Sequence, residues 1–346
     1  MRRLIAVALL VGISVGLSLS PVAQETAQVL RVPQDAATIQ EAIDAVADGG
    51  TILVAAGTWR GNLFVKKSLT LRGLGKTPDD VEIVAEDQGC PVILLRGLNP
   101  DIEVQLGHLT ITGASIGSCR DDLSGATVGD GVGVLGTAHL VLSDVIISGN
   151  QNDGLHAQDN ASVTVFGSRI TDNGDTGLLA LDEATVDVFT SEISGNGAHG
   201  LGTSSSGDVR VFGSTVQTNG ENGIIAIFSS SIWISNATLA DNERNGLYVR
   251  DMGSAWVFDS AISGNAGTGV YLEGSAEIEL HGNEITGQAD VGILAHTQDC
   301  ADDFVPGAEF IGTVSGSANV FADNANGATC PDSFSFLAEV LSSGSE

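Results

Sequence analysis

The chain has 346 residues, of which 43 are acidic and 14 are basic, so its formal net charge at pH 7 is −29. So few cations argue against nucleic acid as a partner, because its phosphates would stay unneutralised. They also argue against a polyanionic substrate, unless bound cations bridge the two surfaces. We interpret the acidity as a solvated surface, and Ca²⁺ is the one cofactor that this surface leaves open.

Residues 1–23 are predicted to be a secretory signal peptide. Two arginines precede a charge-free, mostly apolar run over 4–19, and small residues follow it. The run is shorter than a comfortable membrane span, so an uncleaved anchor is the weaker alternative. Ala27 is a competing cleavage site. We therefore expect a secreted, periplasmic or cell-surface protein with no membrane span after the signal is removed.

Residues 38–47 are predicted to form a short helix. Thr38 and Glu41 have the spacing of a capping box, and Gly49 can stop the helix. The apolar stripe along one face consists of Ile39, Ala42, Ile43 and Val46. Such a helix can cover the open edge of a neighbouring sheet, which would otherwise invite aggregation.

The four cysteines fall into two pairs, Cys90 with Cys119 and Cys300 with Cys330. Each pair accompanies an interruption of the regular pattern described below, and the two interruptions are 114–126 and 297–307. In an oxidising compartment we predict one disulfide within each pair, tying the inserted loop down. The spacings match no paired metal motif and no histidine accompanies them closely, so no metal site is predicted.

The dominant feature is a 23-residue unit that repeats seven times from Asn150 to Gln288 without insertion or deletion. Asparagine marks one position of the unit, and a glycine follows four residues later. The marker residues are Asn150, Asn173, Asn196, Asn219, Asn242, Asn265 and Gln288. A period of this length with short alternating apolar runs is typical of a solenoid of parallel strands.

Each unit, or rung, is predicted to contain three short strands, so that equivalent strands build three parallel sheets. In the first rung the inward positions are exemplified by Leu155, Val165 and Ile170. A column of aromatic residues is expected to stack on rungs about 4.8 Å apart; it consists of Phe166, Phe189, Phe212 and Phe258. The asparagines are expected to stack in the same way, with left-handed backbone angles at a bend and amide-to-amide hydrogen bonds that fix the register.

The chain resembles the right-handed parallel β-helices of the pectin-lyase-like superfamily. The most specific segments are 38–46, the run Asp48-Gly49-Gly50-Thr51-Ile52-Leu53-Val54, and Lys67-Ser68-Leu69-Thr70-Leu71-Arg72-Gly73. They look like the entry segment of pectin methylesterases and of periplasmic proteins of the copper-associated NosD type. The resemblance implies an all-β, single-stranded, right-handed β-helix domain at 29–341, with regular rungs over 127–296, the capping helix at its start and a polar tail at 342–346.

A catalytic site is one hypothesis for the turns that precede the rung glycines. Asp153, Asp175 and His199 fall on consecutive rungs, and paired carboxylates are what glycoside hydrolysis needs. The segments around Asp153 and His199 are similar to motifs of polygalacturonase-type glycosidases, but the adjacent aspartates and the Arg-x-Lys tripeptide of that family are missing. The alternative is structural, because a rung needs residues that tolerate unusual backbone angles before a turn glycine.

A binding surface is the second hypothesis. Outward positions of the first strand carry His156, Tyr248, Tyr271 and, two residues after Tyr248, Arg250, in a stripe that is more apolar than a solvated sheet needs. Trp233 and Trp256 stack on adjacent rungs of the second sheet. Rows of aromatic residues can bind sugar rings, stabilise the sheet, or lie beneath an inserted loop.

The function expected from these patterns is that of a non-catalytic extracellular or periplasmic module that binds a polysaccharide or a cell-surface protein. A polysaccharide-cleaving enzyme that uses the turn residues is the alternative. A copper-delivery role ranks third, because Met1 and Met252 are the only methionines and the histidines show no ligand spacing.

Overall fold

The computed structural model describes residues 28–119, 128–300 and 307–332. The predicted signal peptide and polar tail lie outside the described residues, as do 120–127 and 301–306 within the two predicted loops. The described chain is almost entirely β-structure, and its strands pair in parallel with the equivalent strands of the neighbouring rungs. The predicted all-β class and parallel solenoid are confirmed.

The first part of the chain is less regular than the repeat. Its elements are β1 (Val29–Val32), α1 (Ile39–Ala45), β2 (Gly50–Val54), β3 (Gly57–Arg60), β4 (Leu63–Val65), β5 (Leu69–Gly73), a 3-10 turn (Pro78–Asp80), β6 (Val81–Val84), β7 (Ile93–Thr112) and β8 (Val132–Ser148). The long strands β7 and β8 each pair with all three strand positions of a neighbouring rung.

From β9 onward each rung contributes three strands. The first strands are β9 (Leu155–Ala157), β12 (Leu178–Ala180), β15 (Leu201–Thr203), β18 (Ile224–Ala226), β21 (Leu247–Val249), β24 (Val270–Leu272) and β27 (Ile293–Ala295). The second strands are β10 (Ser162–Phe166), β13 (Thr185–Phe189), β16 (Asp208–Phe212), β19 (Ser231–Ser235), β22 (Ser254–Phe258) and β25 (Glu277–His281). The third strands are β11 (Arg169–Thr171), β14 (Glu192–Ser194), β17 (Thr215–Gln217), β20 (Thr238–Ala240), β23 (Ala261–Ser263) and β26 (Glu284–Thr286), and the solenoid continues through β28 (Thr313–Ser317), β29 (Val320–Ala322) and β30 (Thr329–Cys330).

Helix α1 has the predicted capping box. The Thr38 hydroxyl accepts a hydrogen bond from the Glu41 backbone N–H at 3.1 Å, and the Glu41 carboxylate accepts one from the Thr38 N–H at 3.2 Å. Ile39, Ala42 and Ile43 are buried against the first rungs. The helix ends at Ala45 because Val46 has extended backbone angles.

The interior is filled by the apolar columns that the period predicts. Leu155, Val165, Ile170 and their equivalents on later rungs are fully buried in one continuous core. Burying one such side chain is worth about 1.5–3 kcal/mol, so each rung adds several such contributions.

A buried asparagine ladder fixes the register. Each amide nitrogen donates to the amide oxygen one rung further on, from Asn150 to Asn173 at 2.9 Å and from Asn265 to Gln288 at 3.0 Å, and the four bonds between them are equivalent. The predicted stacking is confirmed. The expected left-handed backbone at these asparagines is wrong, because the positive φ angles belong to the preceding residues, such as Asp172 (57°) and Thr218 (53°). The corner is turned one residue earlier, which leaves the asparagine side chain free to point inward.

The predicted aromatic column and the two predicted disulfides can also be compared with the structure. Phe189 and Phe212 stack with ring centroids 5.2 Å apart, as expected for the aromatic column, whereas Phe258 stacks on Trp233 and His281, neither of which belongs to the predicted set. Both disulfides are present as predicted, Cys90–Cys119 with a Cα separation of 4.6 Å and Cys300–Cys330 with one of 5.7 Å.

Candidate functional site

The residues before the rung glycines form a hydrogen-bonded row that we call the turn column. Its members are Asp130, Asp153, Thr176, His199, Asn222, Asn245 and Thr268. The Asp, His and Asn side chains of the column each accept from the backbone N–H of the next member: Asp153 Oδ1 accepts from Thr176 at 3.0 Å, and Asn245 Oδ1 accepts from Thr268 at 2.9 Å. None of these residues has a positive φ among the described residues. Asp, Asn and His therefore suit this column because their side chains accept hydrogen bonds. Tolerance of unusual backbone angles, which the sequence suggested as the reason, is not needed here.

The predicted catalytic pair is unevenly exposed. Asp153 is only 4% exposed, and its Oδ1 is used by the turn column. Asp175 lies on the surface of the next rung. Partial burial and the charge of Asp153 raise the pKa of Asp175, so the two carboxylates do interact electrostatically. Only one of them, however, is accessible to a ligand.

His199 is held between neighbours on the next rung. Its Nδ1 accepts from the Asn222 backbone N–H at 3.3 Å, which places the proton of the neutral ring on Nε2. Nε2 lies 3.3 Å from Glu221 Oε2, and Glu221 Oε1 lies 3.6 Å from Arg244 Nη2. Burial lowers the pKa of His199 below its usual range, so the ring is neutral at pH 7. In this state the Nε2 proton of His199 faces the Glu221 carboxylate.

A buried trio stands at the start of the turn column. His156 Nδ1 lies 3.5 Å from Asp130 Oδ2 and 3.6 Å from Asp153 Oδ2. The three residues are at most 4% exposed, and the three ligand atoms lie within 4.8 Å of one another. Burial raises the pKa of Asp130; burial lowers the pKa of His156, but the two carboxylates outweigh it and raise that pKa to about 9. The placement of His156 on an outward, substrate-facing surface is therefore corrected, because its ring is buried.

Tyr248 and Tyr271 form a second buried network, on β21 and β24. Their ring centroids are 4.9 Å apart, and both hydroxyls donate to the Glu273 carboxylate, at 2.7 and 2.8 Å. Tyr248 is 8% exposed, Tyr271 2% and Glu273 1%. The chain returning at Gly307 lies so close to Glu273 that a Cβ there would collide with the carboxylate. Of the alternatives that the sequence left open, the described residues show a buried cross-strand pair for these tyrosines.

Beside the tyrosines lies a cleft of about 450 Å³, which we call the tyrosine cleft. Its floor includes parts of Tyr248 and Tyr271, and its polar lining includes Asn222, Glu243, Arg244, Asn245, Asp290 and Asn326. Asn326 Nδ2 donates to Asp290 Oδ1 at 2.8 Å, which orders that end of the cleft. Arg250 lies outside this lining and pairs with Asp251 at 3.1 Å.

The tryptophans lie on a different face. The rings of Trp233 and Trp256 are 6.2 Å apart and nearly parallel, and Trp233 also stacks on Phe258 at 4.8 Å. Trp233 remains 38% exposed. The structure therefore separates the predicted binding residues into two sites, one recessed and one flat.

The sequence analysis did not predict that several residues of these sites would cluster. Asp130 belongs to the same column as Asp153, and His156 follows Asp153 by three residues, so the trio could have been found by comparing adjacent rungs. Glu221 and Arg244 share the position before the turn column, which is a second usable signal. Glu243, Asp290 and the cleft itself depend on how turns of different rungs project, for which the repeat carries no signal.

Two family models match the chain. One describes a right-handed β-helix region and matches residues 102–239, and the other describes a periplasmic copper-binding protein (NosD) and matches 180–303. A search of curated proteins finds no match. Among the described residues, the one helix is far too short and polar to cross a membrane.

Solved structures with the same fold include polysaccharide-modifying enzymes. The chain is similar to the A-module of the Azotobacter vinelandii mannuronan C-5 epimerase AlgE4, with 22% identity, 84% of each chain covered and a TM-score of 0.64. The A-module of AlgE6 from the same organism has 19% identity, with 84% of this chain and 92% of that chain covered and a TM-score of 0.54. The catalytic domain of a GH87 alpha-1,3-glucanase in complex with nigerose has 13% identity, 88% and 66% coverage and a TM-score of 0.52. At these identities the likeness concerns the fold alone. The rungs and the two family models make this chain a right-handed parallel β-helix protein, which is the fold of the pectin-lyase-like superfamily that its entry segment resembles.

Proposed function

We propose that this protein is an exported, non-catalytic β-helix that binds a polysaccharide in the tyrosine cleft. The observation that carries the proposal is the cleft itself: a recess of about 450 Å³ lined by the two tyrosines and by several hydrogen-bonding side chains. A volume of this order suits a small ligand or a few units of a polymer. Aromatic faces and edges contact the apolar C–H surface of a sugar, while carboxylates, amides and guanidinium groups bond its hydroxyls.

The charges of the cleft favour a neutral glycan. Glu243 and Asp290 face a single cation, Arg244, and the whole chain carries a net charge of −29. A uronate polymer would be repelled by this surface unless cations bridged it. Neutral hydroxyls, in contrast, can accept from Arg244 and donate to the two carboxylates.

Burial of Asp153 supports a binding role over a hydrolytic one. A glycosidase needs two carboxyl groups that both reach the scissile bond. Asp153 is buried and bonded within the turn column, and the proton of His199 Nε2 faces Glu221. Asp175 is thus left without an accessible partner carboxylate at the predicted position.

The fold neighbours and the disulfides support the ligand class and the compartment. The named epimerases and the glucanase act on polysaccharides, which makes this class of ligand a reasonable first choice by analogy of fold. Two disulfides and the match to a periplasmic family model support export. A cell-surface protein remains the other partner to test.

Affinity electrophoresis and a glycan array on the purified protein test the proposal. We expect binding to a neutral polysaccharide that weakens at least about tenfold in Arg244→Ala and Asp290→Asn, with no new reducing ends or unsaturated products. Arg169→Ala is the matched control, because Arg169 is an exposed arginine of another sheet whose one ion pair with a described residue is to Asp79, at 3.9 Å. Binding that is lost in Trp233→Ala but kept in Arg244→Ala would move the site to the tryptophan face. Turnover that is abolished by Asp175→Asn would replace the binding role with the enzymatic one.

A further inference from the structure

We propose that Asp130, Asp153 and His156 form a binding site for a divalent transition-metal ion, held by Asp130 Oδ2, Asp153 Oδ2 and His156 Nδ1. The donor set of one imidazole and two carboxylates suits Zn²⁺ and also Cu²⁺. The match to a copper-binding family model begins at residue 180, beyond the trio, so the inference rests on the side chains and not on that match.

The spacing of the three atoms is too long for hydrogen bonds and right for a shared ion. A charge-assisted N–H···O bond has a length of about 2.7–2.9 Å, whereas His156 Nδ1 stands 3.5 and 3.6 Å from the two oxygens. Ligands that each lie about 2.0–2.1 Å from a tetrahedral zinc ion are about 3.3–3.4 Å apart. Small movements of the side chains would complete the site.

Elsewhere in this protein a histidine beside a carboxylate closes the gap. His281 Nε2 lies 2.7 Å from Glu279 Oε1 on the exposed face of β25. The contact of His199 Nε2 with Glu221 Oε2, at 3.3 Å, has an intermediate length. Of these three sites the trio has the longest spacing, and it places two buried carboxylates beside one buried imidazole.

Buried atoms of Asp130 and His156 lack hydrogen-bond partners. Asp130 Oδ2 and both ring nitrogens of His156 are fully enclosed and make no hydrogen bond to a described residue. A buried polar atom without a partner is rare in native proteins and calls for a ligand, a water molecule or an ion. Two of these atoms, Asp130 Oδ2 and His156 Nδ1, are proposed ligands and lie 3.5 Å apart.

The outer atoms of the carboxylates are held so that Oδ2 of each points inward. Asp130 Oδ1 accepts from Asn152 Nδ2 at 2.7 Å and from the Asp153 N–H at 3.1 Å. Asp153 Oδ1 accepts from the Thr176 N–H at 3.0 Å. Such outer hydrogen bonds are typical of metal sites, where they orient the ligands before the ion arrives.

The competing explanation is a proton-linked trio, in which a charged imidazole sits between the two carboxylates. A metal ion would displace that proton when it binds. The two explanations therefore predict the same fold but a different number of metal ions bound per chain. The proposal is also independent of polysaccharide binding, since the trio does not line the tyrosine cleft.

The test uses the full exported chain, stripped with a chelator and then titrated with Zn²⁺ and with Cu²⁺ by calorimetry, with elemental analysis after gel filtration. We expect one ion per chain, a higher unfolding temperature with the ion, and a tetrahedral Co²⁺ visible spectrum on substitution. His156→Asn should lose binding by more than about 100-fold, and Asn152→Ala, which removes only an outer hydrogen bond, should weaken it by about 10–100-fold. The control is His281→Asn, whose half-buried histidine lies outside the trio, and it should bind as the wild type does.

Two results would overturn the proposal. One is wild-type protein that retains less than a tenth of an ion per chain after loading. The other is an ion that binds equally in wild type and Asn152→Ala but is lost in His281→Asn. Because Asn152 lies partly exposed at a turn, its variant tests the site even if His156→Asn fails to fold.

Discussion

Removing one member of the asparagine ladder should be among the most damaging single substitutions in this protein. Asn219 is fully buried in the middle of the ladder. Its Oδ1 accepts from the backbone N–H of Asn196 at 3.1 Å and from Asn196 Nδ2 at 3.0 Å. Its Nδ2 donates to Asn242 Oδ1 at 2.9 Å and to the Ile193 carbonyl at 3.4 Å. Asn219→Ala deletes all four bonds without opening a path to water.

The cost can be worked from these contacts. The Asn196 backbone N–H is left buried and unpaired, at about 1–3 kcal/mol, and the other three lost bonds cost about 0.5–1.5 kcal/mol each. The sum has a range of about 2.5–7.5 kcal/mol. We expect about 3–5 kcal/mol, because Asn196 Nδ2 keeps the Ile170 carbonyl at 3.2 Å and Asn242 Oδ1 keeps the Asn219 N–H at 3.1 Å.

Urea unfolding followed by circular dichroism measures the change, and amide hydrogen exchange locates it. A solenoid can unfold in segments, so exchange should accelerate first in the rungs from Asn196 to Asn242. Asn160→Ala is the control, because Asn160 is exposed and bonds only the exposed Glu183, and it should cost less than about 0.5 kcal/mol. A loss below about 1 kcal/mol for Asn219→Ala would refute the reasoning, since the ladder would then not contribute to stability.

Three further predictions concern the loop, the turn column and the tyrosines. Replacing Cys300 and Cys330 by serine should lower stability by about 2–4 kcal/mol, since the disulfide closes a segment of 30 residues, and should speed hydrogen exchange around the tyrosine cleft. His199→Asn keeps a side chain that can accept from the next rung. Because burial lowers the pKa of His199 in the folded protein, the unfolded chain binds the proton first, so wild-type stability should fall as the pH drops below about 6.5. Urea midpoints of the variant should depend less on pH between 5 and 7.5. Tyr248→Phe should cost about 1.5–3 kcal/mol in the same assay, because it removes one donor from the buried Glu273 carboxylate, and an unchanged midpoint would contradict that account.

The rungs could be predicted from the sequence because one period governs core, corner and register together. The inward positions repeat every 23 residues, so a single alignment of the units assigns Leu155, Val165 and Ile170 to the core and pairs each asparagine with the next. The left-handed corner was assigned one residue too late. An inward amide that bonds the next rung needs an ordinary backbone, and the residue before it takes the turn.

The exposure of the first-strand face could not be predicted from the repeat. The alternation of the first strand assigns Tyr248 and Tyr271 to the outward face, yet both are buried, and the chain at Gly307 lies against Glu273, to which their hydroxyls donate. Whether a loop covers a face depends on contacts between segments that share no periodicity. The disulfide at Cys300 was the one available sign that the loop is tied to this end of the solenoid.

The hydrogen bonds of the turn column have different consequences at the tyrosine cleft and at the Asp130–Asp153–His156 trio. In the turn column, each acceptor side chain bonds the backbone N–H of the next rung. Near the cleft, the amide oxygens of Asn222 and Asn245 accept these bonds, and the two amides also bond each other. Where the acceptor is a carboxylate, one oxygen suffices for the backbone and the second is left over. At Asp130 and Asp153 both leftover oxygens face the same histidine. A repeated structural hydrogen bond thus delivers two fixed carboxylate oxygens to one point, which a row of asparagines could not do.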